Sequence, residues 1–203
     1  MKIKLVTDSS ANMYAMDGVD LSAVPMKIIA GDKEYTDVET LDVPSMLKEL
    51  REYKGKSGTA CPGVGEWLDA FDEADMVLGV AITSNLSGCY NAASIAVEEY
   101  KASKPDAKVF ILDSLSTGPE MELILEKYRE LIEAGKSFED ICAEIKEYCA
   151  NTHLLFSLES LSNFAKNGRV SPAVAAAVGF LGIRVVGRAS DVGTLEPMHK
   201  CRG

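Results

Sequence analysis

The chain has 203 residues and a formal net charge of −10 at pH 7, from 31 acidic and 21 basic side chains. A protein of this length can bury a sizeable core, which excludes a single small module. The acidic balance argues against nucleic-acid binding, because that function needs clustered Lys and Arg side chains that neutralise phosphates.

The five cysteines are scattered without a CxxC pair, and the two histidines complete no zinc-binding spacing. Free thiols in a reducing compartment are therefore expected, and Cys61 and Cys89 are favoured as small buried residues over a reactive pair. The N-terminus begins with a strand-like run instead of a signal peptide, and no stretch of about 18 apolar residues occurs. We predict a cytoplasmic protein without membrane insertion, leaving a transient membrane contact open.

Apolar patterns up to residue 150 predict alternating strands and helices. Strands are predicted at 2–7, 24–29, 33–35, 76–82 and 109–112. Helices are predicted at 43–54, around Trp67 to Phe71, at 90–100, from about 119 to 134 and at 138–149, and residues 55–65 are predicted as a loop. This alternation favours an α/β fold with a mainly parallel sheet covered by helices on both faces.

After residue 151 the pattern changes to shorter elements. Strands are predicted at 153–158, 183–186 and 194–199, with helices at 161–165 and from Pro172. We predict an N-terminal α/β domain at 1–152 and the start of a second, smaller α/β domain at 153–203. Because the last strand is barely finished and nothing follows to cover it, the second domain is predicted to be incomplete.

Four polar loops precede predicted helices or turns, at 7–10, 57–63, 83–88 and 113–118. In an open parallel sheet, such loops meet at the carboxyl ends of the strands. Their hydroxyl groups and backbone N–H groups are suited to hold an oxyanion at helix N-termini. The same residue types also form ordinary caps and turns. The pattern indicates an anion site and does not separate a carboxylate from a phosphate.

Motifs of the common catalytic templates do not occur: there is no GxSxG elbow, Walker loop or HExxH helix. His153 opens an apolar strand, which favours a structural role over that of a general base. Asp8 and Asp113 begin two of the loops, where capping competes with metal binding, and we predict no metal. Arg169 is equally compatible with an anion contact and with an ordinary surface ion pair.

Seven short phrases in a fixed order resemble the DegV family of bacterial lipid-binding proteins. They are Val6-Thr7-Asp8-Ser9-Ser10, Val24-Pro25-Met26 with Tyr35-Thr36-Asp37, Ser57-Gly58-Thr59 with Pro62, Thr83-Ser84-Asn85-Leu86-Ser87-Gly88, Asp113-Ser114, Asn167-Gly168-Arg169-Val170-Ser171 and Lys200-Cys201-Arg202-Gly203. The resemblance implies two α/β domains with a lipid tunnel between them, which agrees with the alternation up to residue 150.

The resemblance further implies that the chain binds a long-chain fatty acid of the C16–C18 class, has no other cofactor and is not itself an enzyme. In Firmicutes, family members serve as the acyl-carrying subunit of a two-component fatty acid kinase, in which a separate ATP-dependent subunit phosphorylates the carboxylate. Two alternatives stay open: a small phosphotransferase or hydrolase using a loop serine or aspartate, and a regulatory domain that senses a small anion.

By the same resemblance, hydroxyls of Thr59 and Ser87 would bind the carboxylate, with Arg169 near the head group. Further contributors to this site are predicted at Ser9, Ser10, Ser84, Asn85 and Gly88. Tail-lining residues are predicted at Met26, Ile28, Phe156, Phe164, Val178, Phe180 and Ile183, where core packing is an equally good explanation. The chain departs from the family pattern at Ala60-Cys61, where Ser-Gln is usual, and at Asn85, where glycine is usual. A head-group histidine of the family would lie beyond Gly203.

Overall fold

The computed structural model describes residues 1–158, 160–171 and 183–202. The strands are β1 (Ile3–Asp8), β2 (Leu21–Val24), β3 (Lys27–Ala30), β4 (Lys33–Thr36), β5 (Ser57–Ala60), β6 (Met76–Ala81), β7 (Lys108–Asp113), β8 (Leu155–Leu158), β9 (Ile183–Ala189) and β10 (Leu195–Arg202). The helices are α1 (Val43–Glu52), α2 (Val64–Phe71), α3 (Cys89–Ser103), α4 (Pro119–Glu133), α5 (Phe138–Ala150) and α6 (Ser162–Lys166).

The central sheet is parallel, with strand order β2–β1–β6–β7. Every residue of β6 is buried, as expected for a strand whose two faces are both covered. Trp67 and Phe71 of α2 pack with α3 on one face. Met121 and Tyr128 of α4 pack with α5 on the other. The predicted α/β fold with helices on both faces of a parallel sheet is confirmed.

Two small antiparallel sheets complete the described residues, with strand orders β4–β3–β5 and β10–β9–β8. The prediction of one strand at 24–29 was wrong, because β2 joins the central sheet and β3 joins a different one. Pro25 stands between them and has no N–H to donate to a continuous ladder. β5 lies inside the segment predicted as a loop. Its small residues do not indicate a strand, which forms because it pairs with β3.

The third sheet begins at Leu155, shortly after the end of α5. The predicted boundary between residues 152 and 153 falls in this connection, and the division into two domains stays a prediction. The helix predicted from Pro172 lies outside the described residues. Among the helices of the described ranges, none is both long enough and apolar enough to cross a membrane.

Candidate ligand-binding site

The turn after β1 is held together by its own polar groups. Asp8 is fully buried, and its Oδ2 accepts the N–H of Ile82 at 2.7 Å while its Oδ1 accepts the N–H and hydroxyl of Ser10. Burial raises the pKa of Asp8 above its ordinary value. Ser9 Oγ accepts the N–H of Met26 at 3.0 Å. The Ser9 and Ser10 hydroxyls thus organise the strand ends, and neither residue lines the cleft described next.

A polar cleft with a volume of about 470 Å³ lies between β5, the loop 83–88 and the segment after α6. It brings together five of the residues predicted for the head group: Thr59, Ser84, Ser87, Gly88 and Arg169. Four further residues line it: Ala60, Cys61, Leu86 and Asn91. Asn91 lies in the first turn of α3, close to the N-cap Gly88. It was not predicted from the sequence, although its place in the first turn after a polar loop could have indicated it. We name this space the head-group cleft.

The loop 83–88 places donors at the start of α3. Thr83 O accepts the N–H groups of Leu86 and Ser87 at 3.1 and 3.2 Å, which folds the loop into a tight turn. Ser87 Oγ in turn accepts the N–H of Cys89 at 3.3 Å and donates to Cys89 Sγ at 3.2 Å, so this hydroxyl lies at the helix N-terminus. The partial positive charge of that terminus favours a negatively charged group in the cleft.

Arg169 reaches the cleft from the opposite side. It follows Gly168, whose φ of 74° turns the chain after α6. Its Nε donates to Leu86 O at 2.9 Å, which fixes the guanidinium against the wall of the head-group cleft. Within the described ranges the structure shows no carboxylate paired with Arg169, so the ordinary surface ion pair considered from the sequence finds no partner there.

A second, smaller cavity adjoins the head-group cleft. Its volume is about 180 Å³, and it shares Thr59 and Arg169 with the cleft. Its other lining residues are Ile28, Leu50, Ser57, Gly58, Asn163, Phe164 and Asn167. Ile28 and Thr59 are cross-strand partners in β3 and β5, so their side chains point to the same face of the sheet. We name this space the tail cavity, because its apolar walls come from Ile28, Leu50 and Phe164.

The other predicted tail residues lie elsewhere or outside the described part. Met26 packs against the core between the central sheet and α2 and α3. Phe156 packs within the third sheet, where its ring leaves no room for a side chain at Gly187. Val178 and Phe180 lie outside the described residues, and only the backbone of Ile183 is described, at the start of β9. For all seven residues, tail lining stays a prediction.

The model of the DegV family matches residues 2–203 of the chain. The chain belongs to the DegV family. A DegV domain-containing protein of Streptococcus pneumoniae, spr0652, is 37% identical over 207 residues, which cover 100% of this chain and 74% of that protein. The resemblance found in the seven phrases is thereby confirmed.

Solved DegV structures superpose closely on this one. A family member from Eubacterium eligens loaded with heptadecanoic acid is 46% identical, with a TM-score of 0.95 over 99% of this chain and 73% of the other. The fatty acid kinase B3 protein of Streptococcus pneumoniae loaded with linoleic acid is 37% identical, with a TM-score of 0.96 over 100% and 74%. A fatty-acid-binding DegV protein from Thermus thermophilus is 25% identical, with a TM-score of 0.84 over 100% and 72%.

In this DegV protein neither the histidines nor the loop aspartates are among the residues that line the head-group cleft, although Asp113 bonds the backbone of Ser84, which lines it. His153 lines a separate cavity of about 360 Å³ between α5 and the β9–β10 turn, and His199 is exposed on β10. Asp113 Oδ1 accepts the N–H groups of Ser84 and Leu115 at 3.2 and 3.1 Å, as expected of a residue that organises a loop. No cluster of three or more potential metal ligands is found among the residues that the structure describes.

Two cysteines lie beside the cleft in different environments. Cys61 is exposed and lines the cleft, with its Sγ beside Gly88. Cys89 is fully buried, and burial, with a smaller contribution from the charge of Asp8, raises the pKa of its thiol to about 12. The expectation of a small buried residue holds for Cys89, whereas Cys61 is accessible from the cleft.

Proposed function

We propose that this chain binds a long-chain fatty acid, with the carboxylate in the head-group cleft and the tail entering the tail cavity, and presents the acid to a separate ATP-dependent kinase subunit. The observation that carries this proposal is that Thr59 and Arg169 line both spaces, so polar donors and apolar walls meet at one junction. The relatives loaded with heptadecanoic and linoleic acid support the same ligand class.

The head-group chemistry suits a carboxylate. An ionised carboxylate only accepts hydrogen bonds, and the cleft offers hydroxyls from Thr59 and Ser84, that of Ser87 once it turns from Cys89 Sγ to the ligand, and the N-terminus of α3. The planar guanidinium of Arg169 matches the two oxygens of a carboxylate in a bidentate geometry. One cation and several neutral donors can therefore compensate a single negative charge as it leaves water.

The tail cavity distinguishes a lipid from a small anion. Ile28, Leu50 and Phe164 offer apolar walls next to the donors, and each methylene group buried there contributes about 0.8 kcal/mol. These walls surround the part of the tail next to the carboxylate. A sensor of a small anion has no use for these walls, which disfavours that alternative.

We propose a carrier and not an enzyme, with phosphorylation carried out by the kinase subunit. A phosphotransferase or hydrolase that uses a loop serine needs a base within hydrogen-bond reach of it. The side chains that line the head-group cleft in the described ranges supply hydroxyls, a thiol, an amide and a guanidinium, and none of them is a carboxylate or an imidazole that could act as the base. Turnover of ATP or of a simple ester by the purified chain alone would contradict this part of the proposal.

The proposal is tested by titrating the purified chain with palmitic acid, hexadecan-1-ol and inorganic phosphate. The alcohol has the same tail and no charge, so we expect it to bind on the order of 100-fold more weakly than the acid. Phosphate should not displace the acid at millimolar concentration. Equal affinities for acid and alcohol would show that the cleft does not hold the carboxylate, and displacement by phosphate would favour an anion sensor.

Alkylation of Cys61 reports directly on occupancy of the cleft. In the ligand-free chain, we expect iodoacetamide to modify the exposed thiols of Cys61 and Cys201, while the buried Cys89 stays unmodified because of its raised pKa. Saturating palmitate should protect Cys61 and leave the rate at Cys201 unchanged. Peptide mapping by mass spectrometry measures both rates in one sample. Unchanged modification of Cys61 with bound palmitate would place the ligand elsewhere.

A further inference from the structure

The loop that carries Ser84 and Ser87 is attached to the turn between β9 and β10. Asn85 Nδ2 donates to Val192 O at 2.6 Å. Thr83 Oγ1 donates to Gly193 O at 3.0 Å, and Thr83 is almost completely buried. The two bonds span 107 and 110 positions of the sequence, respectively, so they join the central sheet to the third sheet.

The β9–β10 turn fits closely against the loop. Gly193 has a φ of 75°, and a Cβ atom at this position would lie 2.1 Å from Thr83 Oγ1 and 2.9 Å from the Cα of Leu115. Such a distance excludes any side chain at Gly193 without displacement of the loop. Within the turn, Gly193 N–H donates to Ser190 O at 2.8 Å, and Ser190 N–H donates to Thr194 O at 2.9 Å. The β9–β10 turn is therefore held in one conformation by its own hydrogen bonds where it contacts the loop.

Thr83 connects this contact to the donors of the cleft. Its Oγ1 also accepts the N–H of Asn85 at 3.3 Å, and its carbonyl oxygen accepts the N–H groups of Leu86 and Ser87. Arg169 holds the carbonyl of Leu86 from the other side. The loop is thus fixed at both ends of the short segment that presents Ser84 and Ser87.

We infer that Thr83 and Asn85 are positioning residues, which fix the carboxylate donors of the head-group cleft by attaching their loop to the β9–β10 turn. This inference rests on the proposed function and revises the role expected for Asn85. The side-chain amide of Asn85 is engaged by Val192 O, and Asn85 is not among the residues that line the cleft. Its contribution to ligand binding is therefore indirect and acts through Ser84 and Ser87.

The test compares Asn85→Ala and Thr83→Val by titration with palmitic acid and with hexadecan-1-ol. Asn85→Ala loses one hydrogen bond, whereas Thr83→Val loses two, to Gly193 O and from the N–H of Asn85. We expect Asn85→Ala to bind the acid about fivefold more weakly and Thr83→Val to lose at least as much, because either change loosens the loop. Binding of the alcohol should change by less than about twofold, because the tail cavity is untouched. The ratio of the two dissociation constants is the decisive quantity, since a general loss of structure lowers both affinities alike.

Asn151→Ala is the matched control. Asn151 is also exposed and donates its side-chain amide to a backbone carbonyl, that of Glu147 at 2.8 Å, away from the cleft. The ratio of the dissociation constants for acid and alcohol in Asn151→Ala should equal that of the wild type. Because Asn85 is exposed, its variant decides the matter if Thr83→Val does not fold.

An unchanged ratio in Asn85→Ala, or an equal loss for acid and alcohol, overturns the inference. A wild-type chain without preference for the acid would overturn the proposed function together with it. The two failures are therefore distinguished by the wild-type titration alone.

Discussion

We expect the Arg169→Ala substitution to weaken palmitate binding about 50-fold, because a hydrogen bond to a charged group contributes roughly 1.5–3 kcal/mol and each 1.4 kcal/mol is tenfold in affinity. The variant also loses the bond to Leu86 O that supports the loop 83–88. Binding of hexadecan-1-ol should change far less, because the alcohol carries no charge. Titration of both ligands measures the two effects separately.

Arg169→Lys and Arg51→Ala are the controls for this result. Lysine keeps the charge but cannot reproduce the planar, bidentate contact, so an intermediate loss is expected. Arg51 is exposed on α1, and its replacement changes the net charge by the same amount without touching the cleft. Binding of palmitate by Arg169→Ala within about twofold of the wild type would exclude a direct contact between the guanidinium and the carboxylate.

The second large effect is expected at the opposite end of the site, in Ile28→Asp. This change places a carboxylate in the apolar wall of the tail cavity, which Arg169 also lines, so the new side chain removes apolar surface from the tail and competes with the ligand for the guanidinium. We expect both acid and alcohol to lose affinity, on the order of 100-fold or more, with the larger loss for the acid. The pattern differs from that of Arg169→Ala, which affects the acid selectively.

Ile29→Asp separates loss of the cavity from damage to the strand. Ile29 is the next residue in β3 and is also half-buried, and successive side chains in a strand point to opposite faces. The substitution carries the same cost in strand propensity and charge, but it should leave ligand affinity close to that of the wild type. Equal losses in both variants would show that the effect comes from destabilisation of the small sheet.

Three strands of the central sheet, β1, β6 and β7, could be predicted from the sequence, because a strand buried on both faces is a continuous apolar run such as Met76–Ala81. β5 could not, since Ser57–Ala60 carries no alternation and forms by pairing with β3. The break at Pro25 was missed when one strand was predicted at 24–29, and the sheet that each strand joins depends on partners elsewhere in the chain.

The head-group loops could be located by their residue types, but their partners could not. Thr59, Ser84 and Ser87 lie in one cleft, and their contacts with a carboxylate stay a prediction. The side chains of Ser9 and Asn85 instead bond Met26 N and Val192 O, and Ser87 Oγ bonds Cys89. A donor in a polar loop can satisfy either a ligand or the protein backbone, and only the folded arrangement decides between them. Arg169 shows the same limit, because its bond to Leu86 O joins segments 83 residues apart, and its contact with an anion stays a prediction.

The most direct test of the central claim is organic extraction of the purified chain followed by mass spectrometry, with native mass spectrometry to count ligands per protein. We expect one C16–C18 fatty acid per chain. A chain that carries no fatty acid and also fails to bind added palmitate or oleate would contradict the proposed function.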